Sequence, residues 1–493
     1  MTSPATARAL GACAALLLGA CSAPQFRQPE LAAPDAYKEA AHRESAPALT
    51  LPDGSRWEAS QPAASQPDGA WWRVFNDAQL DRLIAEATAA NQNLAGAAAR
   101  LRQARAIAGI AEAQRMPQLD AGIGAQRVRQ SPLELGLPAG SPVAPASIYQ
   151  ARLTASYEAD LFGRVSSSVA AARGDAAASA AIYRAVLLSL QADVAQTWFR
   201  LRETDAELAA LAEAVGLREK SLAVNQRRYD LGDIGEFDLV RARTELSTAR
   251  AEAIGLQQQR AVNEHALAVL LGRPAGGYSV PVQPLGVAAP PVVPPGLPSS
   301  LLQRRPDLAA AQRQMEAANA RIGVARAARF PALLLNAGGG GEAATFADVF
   351  KWSSRSWLAG AALSMPLIDG GRNRSNIARS EAALEEAVAA FRQQVLAAYA
   401  DVEDNLAGLR ILGAQSQQIG EALVSARRSA ELAQKLYGAG RSSYLDLLDA
   451  QRNLTTVQRQ AAQLNGSRAV ATVALIRALG GGWQDAPAAL AAN

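Results

Sequence analysis

Several segments of the chain alternate apolar and polar residues, and this alternation predicts β-strands with one apolar face. From Tyr149 to Leu161 every second residue is apolar and the residues between are polar. Shorter alternating runs begin at Leu119, Leu333 and Trp357. Because successive side chains of a strand point to opposite faces, each run predicts a strand with one apolar side. The sequence therefore predicts four strands, in two pairs.

Long helical patterns follow each predicted strand pair. The segment from Ser166 to Arg228 contains no proline, and its apolar residues recur every three or four positions, which is typical of coiled-coil-like packing. Its counterpart runs from about Ile377 to Leu436. A shorter helix is predicted after each long one, at Phe237 to Leu271 and at Leu445 to Leu479.

The two halves of the chain match each other. A shift of 208 positions aligns Tyr229 to Gly272 with Tyr437 to Gly480 without a gap, and glycine, tyrosine and aspartate recur at fixed spacing. A second shift, of 214 positions, sets Pro117 over Pro331. The chain is therefore an internal duplication of one structural unit.

The N-terminus has the pattern of an export signal, with Arg8 followed by an apolar run. Residues 18–21, Leu-Gly-Ala-Cys, resemble a bacterial lipoprotein box, in which the cysteine becomes the first mature residue and carries acyl chains. The alternative is an ordinary signal cut before a chance cysteine. The predicted segments are a signal peptide at 1–20, a lipid-anchored N-terminal extended segment at 21–70 that begins with Cys21, a first repeat at 71–273, a proline-rich linker at 274–299, a second repeat at 300–482 and a C-terminal tail at 483–493.

Composition argues against several function classes. The net charge is only +4, and basic residues are interspersed with acidic ones, which does not indicate a nucleic-acid partner. The histidines, His42 and His265, lack metal-ligand spacing. No G-x-S-x-G, H-E-x-x-H or Walker sequence is present. We therefore expect no catalytic residues, no metal site and no cofactor, and a protein that is not an enzyme.

Four strands with one apolar face cannot form a stable membrane structure alone. An open sheet has two unpaired edges, and lipid offers no hydrogen-bond partners to them. Outer membrane barrels close with eight strands or more. Three chains would supply roughly twelve, so we predict a homotrimer that shares one barrel.

Four groups of residues resemble signatures of the TolC family. They are the segment from Tyr157 to Arg164, the run from Leu302 to Leu308 with Arg304, Arg305, Pro306 and Asp307, the pair Glu403 and Asp404, and the segment from Tyr437 to Arg452. With the lipoprotein box, the chain most resembles the lipidated, OprM-like (NodT-type) outer membrane factors. The resemblance covers about Trp71 to Gly482.

The resemblance implies an α+β membrane protein. Its fold would be a trimeric transmembrane β-barrel, with four strands per chain, continued by a long periplasmic α-helical barrel. It implies a lipid-anchored protein in the outer membrane of a Gram-negative bacterium, in contact with outer-membrane lipid, and a passive exit duct of a tripartite, RND-type multidrug efflux pump. The implied partners are a periplasmic adaptor and an inner-membrane RND pump.

Two alternative functions remain open at this stage. One is the outer-membrane channel of a metal-efflux or type I protein-secretion system. The other is a structural lipoprotein that spans the periplasm without conducting, although such a rod would need no lipid-facing strands.

The resemblance also assigns a gate at the periplasmic tip. Leu445 matches an apolar constriction residue, Asp449 an acidic ring and Arg452 its basic neighbour, while Asp446 matches an acidic position found in some family members. Alternatively, the aspartates are stabilised at a helix start by the helix dipole, and Asp449 forms an ordinary surface pair with Arg452.

The turns at Arg228 to Phe237 and Leu436 to Leu445 would contact the adaptor. The candidate tip residues are Tyr229, Gly232, Asp238, Tyr437 and Gly440, of which Asp238 is assigned to helix capping and tip structure. Four aromatic residues are either a girdle at the bilayer boundary or ordinary packing; they are Tyr149, Tyr157, Trp352 and Trp357.

Overall fold

The computed structural model describes residues 26–29, 34–39, 69–286, 291, 293 and 304–481. The predicted signal peptide, Cys21 and the predicted C-terminal tail lie outside the described residues. The chain divides into two compact units. One contains Arg100–Ala180 and Ala310–Phe391, and the other contains Leu31–Ala99, Ala181–Ala309 and Arg392–Asn493.

The first unit holds a four-stranded antiparallel sheet in the order β1-β2-β3-β4. The strands are β1 (Gln118–Val128), β2 (Ala146–Ala159), β3 (Ala332–Ala343) and β4 (Arg355–Ser364). The four predicted strands are thereby confirmed. The glycine run 338–341 lies inside β3 and pairs with both neighbours.

The strand register separates an apolar face of the sheet from a polar one. Ile123 lies opposite Ala151 and Leu153 opposite Gly339, so the apolar sets of neighbouring strands share a face. The other face carries the ion pair between Arg152 and Glu342, with 2.7 Å between Nη2 and Oε2. The sheet therefore has one side suited to lipid and one suited to water.

The two long helices extend slightly beyond their predicted limits, and the two shorter ones begin and end one residue earlier than predicted. The first long helix is α3 (Arg164–Asp230), and the second is α6 (Arg372–Gly438). Each turns back into a shorter helix, α4 (Glu236–Leu270) or α7 (Tyr444–Ala478). The remaining long helices of the described residues are α1 (Ala78–Ala90), α2 (Gln92–Ala113) and α5 (Pro306–Ala327). Among the described residues, none of the helices is sufficiently long and apolar to cross a membrane.

The core of the second unit lies where α1 packs against α3 and the ends of α4 and α7. Trp71, Leu80, Trp198, Leu267 and Val473 are almost fully buried in one cluster. Polar groups at its edge are paired, since the Trp198 indole N–H donates to Asp77 Oδ2 at 2.9 Å. The other carboxylate oxygen of Asp77 caps α1, as its acceptance of backbone N–H bonds in the first turn shows.

Candidate functional site

Two helix turns with the same hydrogen bonds form one end of the second unit. In the first, the N–H of Gly232 donates to the carbonyl of Tyr229 (2.9 Å), and Asp233 donates to Arg228 (2.8 Å). In the second, Gly440 donates to Tyr437 (3.0 Å), and the next residue closes the same bond pattern. Gly232 and Gly440 have φ of 75° and 70°, which glycine adopts without steric cost. The duplication therefore extends to the hydrogen bonds of the turns.

A buried apolar cluster joins the helices below the turns. It brings together Tyr437 from the end of α6, Tyr444, Leu447 and Leu448 from the start of α7, and Ala242 from α4. Burial, with the nearby carboxylate of Glu245, raises the pKa of Tyr444 to about 12. The phenol therefore stays neutral and contributes to packing.

The two tip tyrosines differ in environment. Tyr229 is exposed, whereas Tyr437 is buried and its hydroxyl donates to Oδ1 of the fully buried Asn225. The guanidinium of Arg228 lies 5.5 Å from the centre of the Tyr437 ring. Tyr437 thus ties α6 to α3, and only Tyr229 offers its side chain at the surface. The predicted adaptor contact remains a prediction for both.

Two of the predicted site residues lie at helix starts. Asp446 forms a capping box with Ser443, because its Oδ2 accepts from the Ser443 N–H (3.0 Å) while the Ser443 hydroxyl accepts from the Asp446 N–H (3.2 Å). These hydrogen bonds lower the pKa of the Asp446 carboxyl. Asp238 occupies the same place in the first turn of α4, where the N-cap is Gly235 and supplies no side-chain bond.

The other gate candidates lie on the side of α7 that the described residues leave uncovered. Leu445, Asp449 and Arg452 are exposed, while Leu447 and Leu448 between the first two are buried. Positions three and four apart share one face of a helix, so the candidates form a single stripe. The structure brings Leu445, Asp449 and Arg452 together and directs Asp446 to the helix cap.

Arg452 has a stronger partner than Asp449. Its guanidinium binds both carboxylate oxygens of Glu245 on α4, one of them with 3.1 Å from Nε to Oε2, whereas the nearest Asp449 oxygen is 3.9 Å away. Arg218 on α3 approaches the same carboxylate to 3.8 Å. The bond to Glu245 is the main cause that raises the pKa of Arg452. The sequence expectation paired Arg452 with Asp449; here that contact is the longer one.

Glu245, Arg218 and Asn225 were missed by the sequence reasoning. The shift of 208 positions places Glu245 over Asn453, so the duplication does not mark it. Glu245 lies 207 positions from Arg452, and Asn225 lies 212 positions from Tyr437, so no helical spacing rule relates either pair.

A groove of about 780 Å³ lies between the end of α6 and the start of α7. Its lining is apolar along most of its length, with one cation and one carboxylate; it includes Val424, Arg428, Leu432, Leu436, Ser442 and Asp446. Within the described part of the chain, no three histidine, cysteine, aspartate or glutamate side chains are grouped so that they could hold a metal ion.

A model of the family described as outer membrane efflux protein matches residues 83–273 and 297–481. The chain belongs to this outer membrane efflux protein family. The resemblance to TolC-family outer membrane factors is thereby confirmed, together with the efflux function and the outer membrane location.

Individual relatives agree with the family over nearly the whole chain. The outer membrane protein OprJ of Pseudomonas aeruginosa is 34% identical over 478 residues, which cover 96% of this chain and 95% of that protein. The probable outer membrane lipoprotein SilC of Salmonella typhimurium is 32% identical over 415 residues, or 84% and 88% of the two chains. The structure of the outer-membrane channel OprN superposes with a TM-score of 0.82 and 26% identity, covering 94% of this chain and all of that chain.

Proposed function

We propose that three copies of this chain form the passive exit duct of a tripartite, RND-type multidrug efflux pump. The sheet supports the trimer, because β1 and β4 each have one edge without a partner among the described residues. At 11 and 10 residues, they have the length that a membrane-spanning strand requires. Pairing of β1 with β4 of a neighbouring copy would close a barrel of roughly twelve strands. Mass measurement in mild detergent should give three chains, and a conducting monomer would contradict the shared barrel.

The closed state of the duct is proposed to depend on the tip of α7. The observation that carries this proposal is the stripe of Leu445, Asp449 and Arg452, which lies on a surface that the chain's own helices leave open. In a trimer each of these residues would occur three times around the axis. Three carboxylates repel one another unless cations accompany them, and Arg452 supplies one cation per chain. Its bond to Glu245 would hold α7 against α4 in the closed state.

Two further partners are proposed for the ends of this protein. The periplasmic adaptor would contact the tip through the exposed Tyr229 and the groove between α6 and α7. Acyl chains on Cys21 would anchor the N-terminus in outer-membrane lipid. The lipoprotein box and the relationship to a probable outer membrane lipoprotein support this anchor.

The gate is tested by single-channel recording in lipid bilayers. The test variant combines Leu445→Ala with Asp449→Ala. The matched control combines Phe237→Ala with Arg241→Ala, which changes the positions related to them by the 208-residue shift at the first turn. If the gate lies at the second turn, the test variant conducts more than wild type and the control does not.

Assembly of both variants must equal that of wild type, as measured by mass in detergent. Wild-type conductance in a correctly assembled Leu445→Ala, Asp449→Ala protein would place the gate elsewhere. Equal increases in the test and control proteins would also contradict a gate specific to the second turn.

A further inference from the structure

The connection between β3 and β4 folds back onto the apolar face of the sheet. Its residue Val349 is buried, and the Val349 carbonyl lies so close to Gly341 that a Cβ at position 341 would overlap it. Gly341 belongs to the apolar face, because it lies opposite Ala151 in the strand register. Residues 344–354 therefore cover the end of the apolar face instead of continuing the sheet.

Aromatic rings concentrate on this face at the same end. The Phe346 ring packs edge-on against Tyr149 of β2, with 6.2 Å between ring centres, and against Phe350 at 5.9 Å. Trp352 and Trp357 are 80% and 84% exposed. Both tryptophans are this exposed although the loop beside them is tightly packed. We therefore expect something other than the described residues of this chain to cover them.

Cations accompany the exposed rings. The Arg355 guanidinium lies 4.2 Å from the centre of the Trp352 ring, and Arg355 is exposed. Lys351 is exposed beside it and pairs with Asp348, the one acidic residue between positions 344 and 355. On β1, Arg127 ends the apolar set at the same end of the sheet. The aromatic end of the apolar face is therefore net positive.

The position of this surface along the strands matches one boundary of a membrane. Tyr149 and Tyr157 lie on the same face of β2, eight residues apart, which corresponds to about 26 Å along the strand. That is the scale of the apolar band of an outer-membrane barrel. At the Tyr157 end all four strands connect to helices, and the Phe162 and Phe330 rings stack at 4.9 Å. Trp352 therefore lies at the opposite end of the strands from these helix connections.

We infer that Lys351 and Arg355, held beside Trp352, bind the phosphate groups of the phosphorylated glycolipid in the outer leaflet of the membrane. This inference rests on the outer membrane location and on periplasmic helices, and it does not depend on the gate. Tryptophan fits the boundary because its ring is apolar and its N–H is polar. Arginine and lysine extend their charges toward headgroups while their methylene groups stay in the apolar layer. A protein partner would not explain why cations and rings lie together at this end of the apolar band.

Binding is tested with purified trimer in detergent and three probes. The probes are bisphosphorylated lipid A, the same lipid after removal of its phosphates, and phosphatidylethanolamine. The test variant combines Lys351→Gln with Arg355→Gln. The matched control is Arg152→Gln, which removes a half-exposed cation from the polar face of the same sheet. Native mass spectrometry and quenching of tryptophan fluorescence report the bound lipid.

Wild type and Arg152→Gln should bind bisphosphorylated lipid A with the same affinity. Loss of two cations should weaken binding by roughly thirtyfold. Removal of the phosphates from the lipid should weaken wild-type binding to the same degree, and this measurement needs no variant to fold. Equal binding of the phosphorylated and dephosphorylated lipids would overturn the inference, as would preferential binding of phosphatidylethanolamine. It would also be overturned if trimers associated with one another through this face in the absence of lipid. Conductance should stay at the wild-type level in all these proteins, which separates this result from a failure of the proposed gate.

Discussion

The substitution Glu245→Gln should loosen the tip of the protein without changing its shape. Glutamine has the size of glutamate but carries no charge, so Arg218 and Arg452 would both lose the carboxylate they share. The two arginines differ in exposure. The side chains of Glu245 and Arg218 are each 11% exposed, whereas that of Arg452 is 47% exposed.

The expected free-energy cost follows from this difference. An ion pair with a half-exposed partner contributes about 0 to 1 kcal/mol, because water screens the charge and can replace the lost bond. An arginine left buried without its counter-charge costs more, about 1 to 3 kcal/mol. Asp449, 3.9 Å from Arg452, can recover part of the loss for Arg452, whereas the ion pair of Arg218 is the one with Glu245. We expect about 2 to 3 kcal/mol in total, most of it from Arg218.

A neighbouring ion pair gives the matched control. Glu219 on α3 and Arg250 on α4 join the same two helices, with 2.7 Å between Oε1 and Nη2, but their side chains are 47% and 56% exposed. Glu219→Gln should therefore cost at most about 1 kcal/mol. Single-channel recordings and thermal unfolding would compare both variants with wild type. If the pair between Arg452 and Glu245 holds the closed state, the loss of its share, about 1 kcal/mol, raises the open probability by roughly fivefold.

The reasoning would be refuted if Glu245→Gln and Glu219→Gln gave the same stability and the same open probability. A double-mutant cycle with Arg452→Gln separates the two arginines. A coupling energy near zero would show that Arg452 gains nothing from Glu245 despite the hydrogen bonds.

Three further outcomes are expected. Tyr437→Phe should lower stability by about 1 to 2 kcal/mol in thermal unfolding, because the buried Oδ1 of Asn225 loses its donor, and Tyr229→Phe at the exposed equivalent position should have little effect. Burial, with the Glu207 carboxylate, raises the pKa of Glu203 from 4.5 to about 7. Between these values the unfolded chain binds fewer protons than the folded chain, so stability should fall as the pH rises from 4.5 to 7. Glu203→Gln should remove this part of the pH dependence in thermal scans. Cys21→Ser should abolish labelling by a palmitate analogue and weaken membrane sorting more than conductance, whereas unchanged labelling would exclude this cysteine as the acylation site.

The sheet could be predicted from sequence because its two faces meet different solvents. β2 borders lipid on one side and water on the other, and the resulting alternation from Tyr149 onward is regular. β3 was predicted only in part. Its glycines carry no side chain to show an alternation, yet Gly340 must be small, because a Cβ there would overlap the carbonyl of Ala151 on β2. The glycine run is thus part of the strand because of close backbone packing, which a hydropathy pattern does not show.

The tip was predictable to the extent that it repeats. The match of Gly232 with Gly440 indicated two equivalent turns, and their hydrogen bonds agree. The partners of the gate candidates do not repeat. Glu245 binds Arg452, but the positions related to them by the 208-residue shift are Asn453 and Thr244, which cannot form an ion pair. An interaction made once in a duplicated chain leaves no periodic signal, so only the folded chain reveals it.

The two acidic gate candidates are distinguished by what each already binds. The carboxylate of Asp446 accepts hydrogen bonds from the backbone and the hydroxyl of Ser443, so moving it toward a pore would uncap α7. Loss of an N-cap bond costs about 1 kcal/mol, and the effect would apply in every copy. Asp449 is exposed, and among the described residues its nearest ion-pair partner is Arg452 at 3.9 Å, which is itself held by Glu245. A carboxylate with weak contacts in its own chain can face neighbouring copies at no structural cost. We therefore expect one acidic ring at the tip, formed by Asp449, while Asp446 keeps the helix that carries it in place.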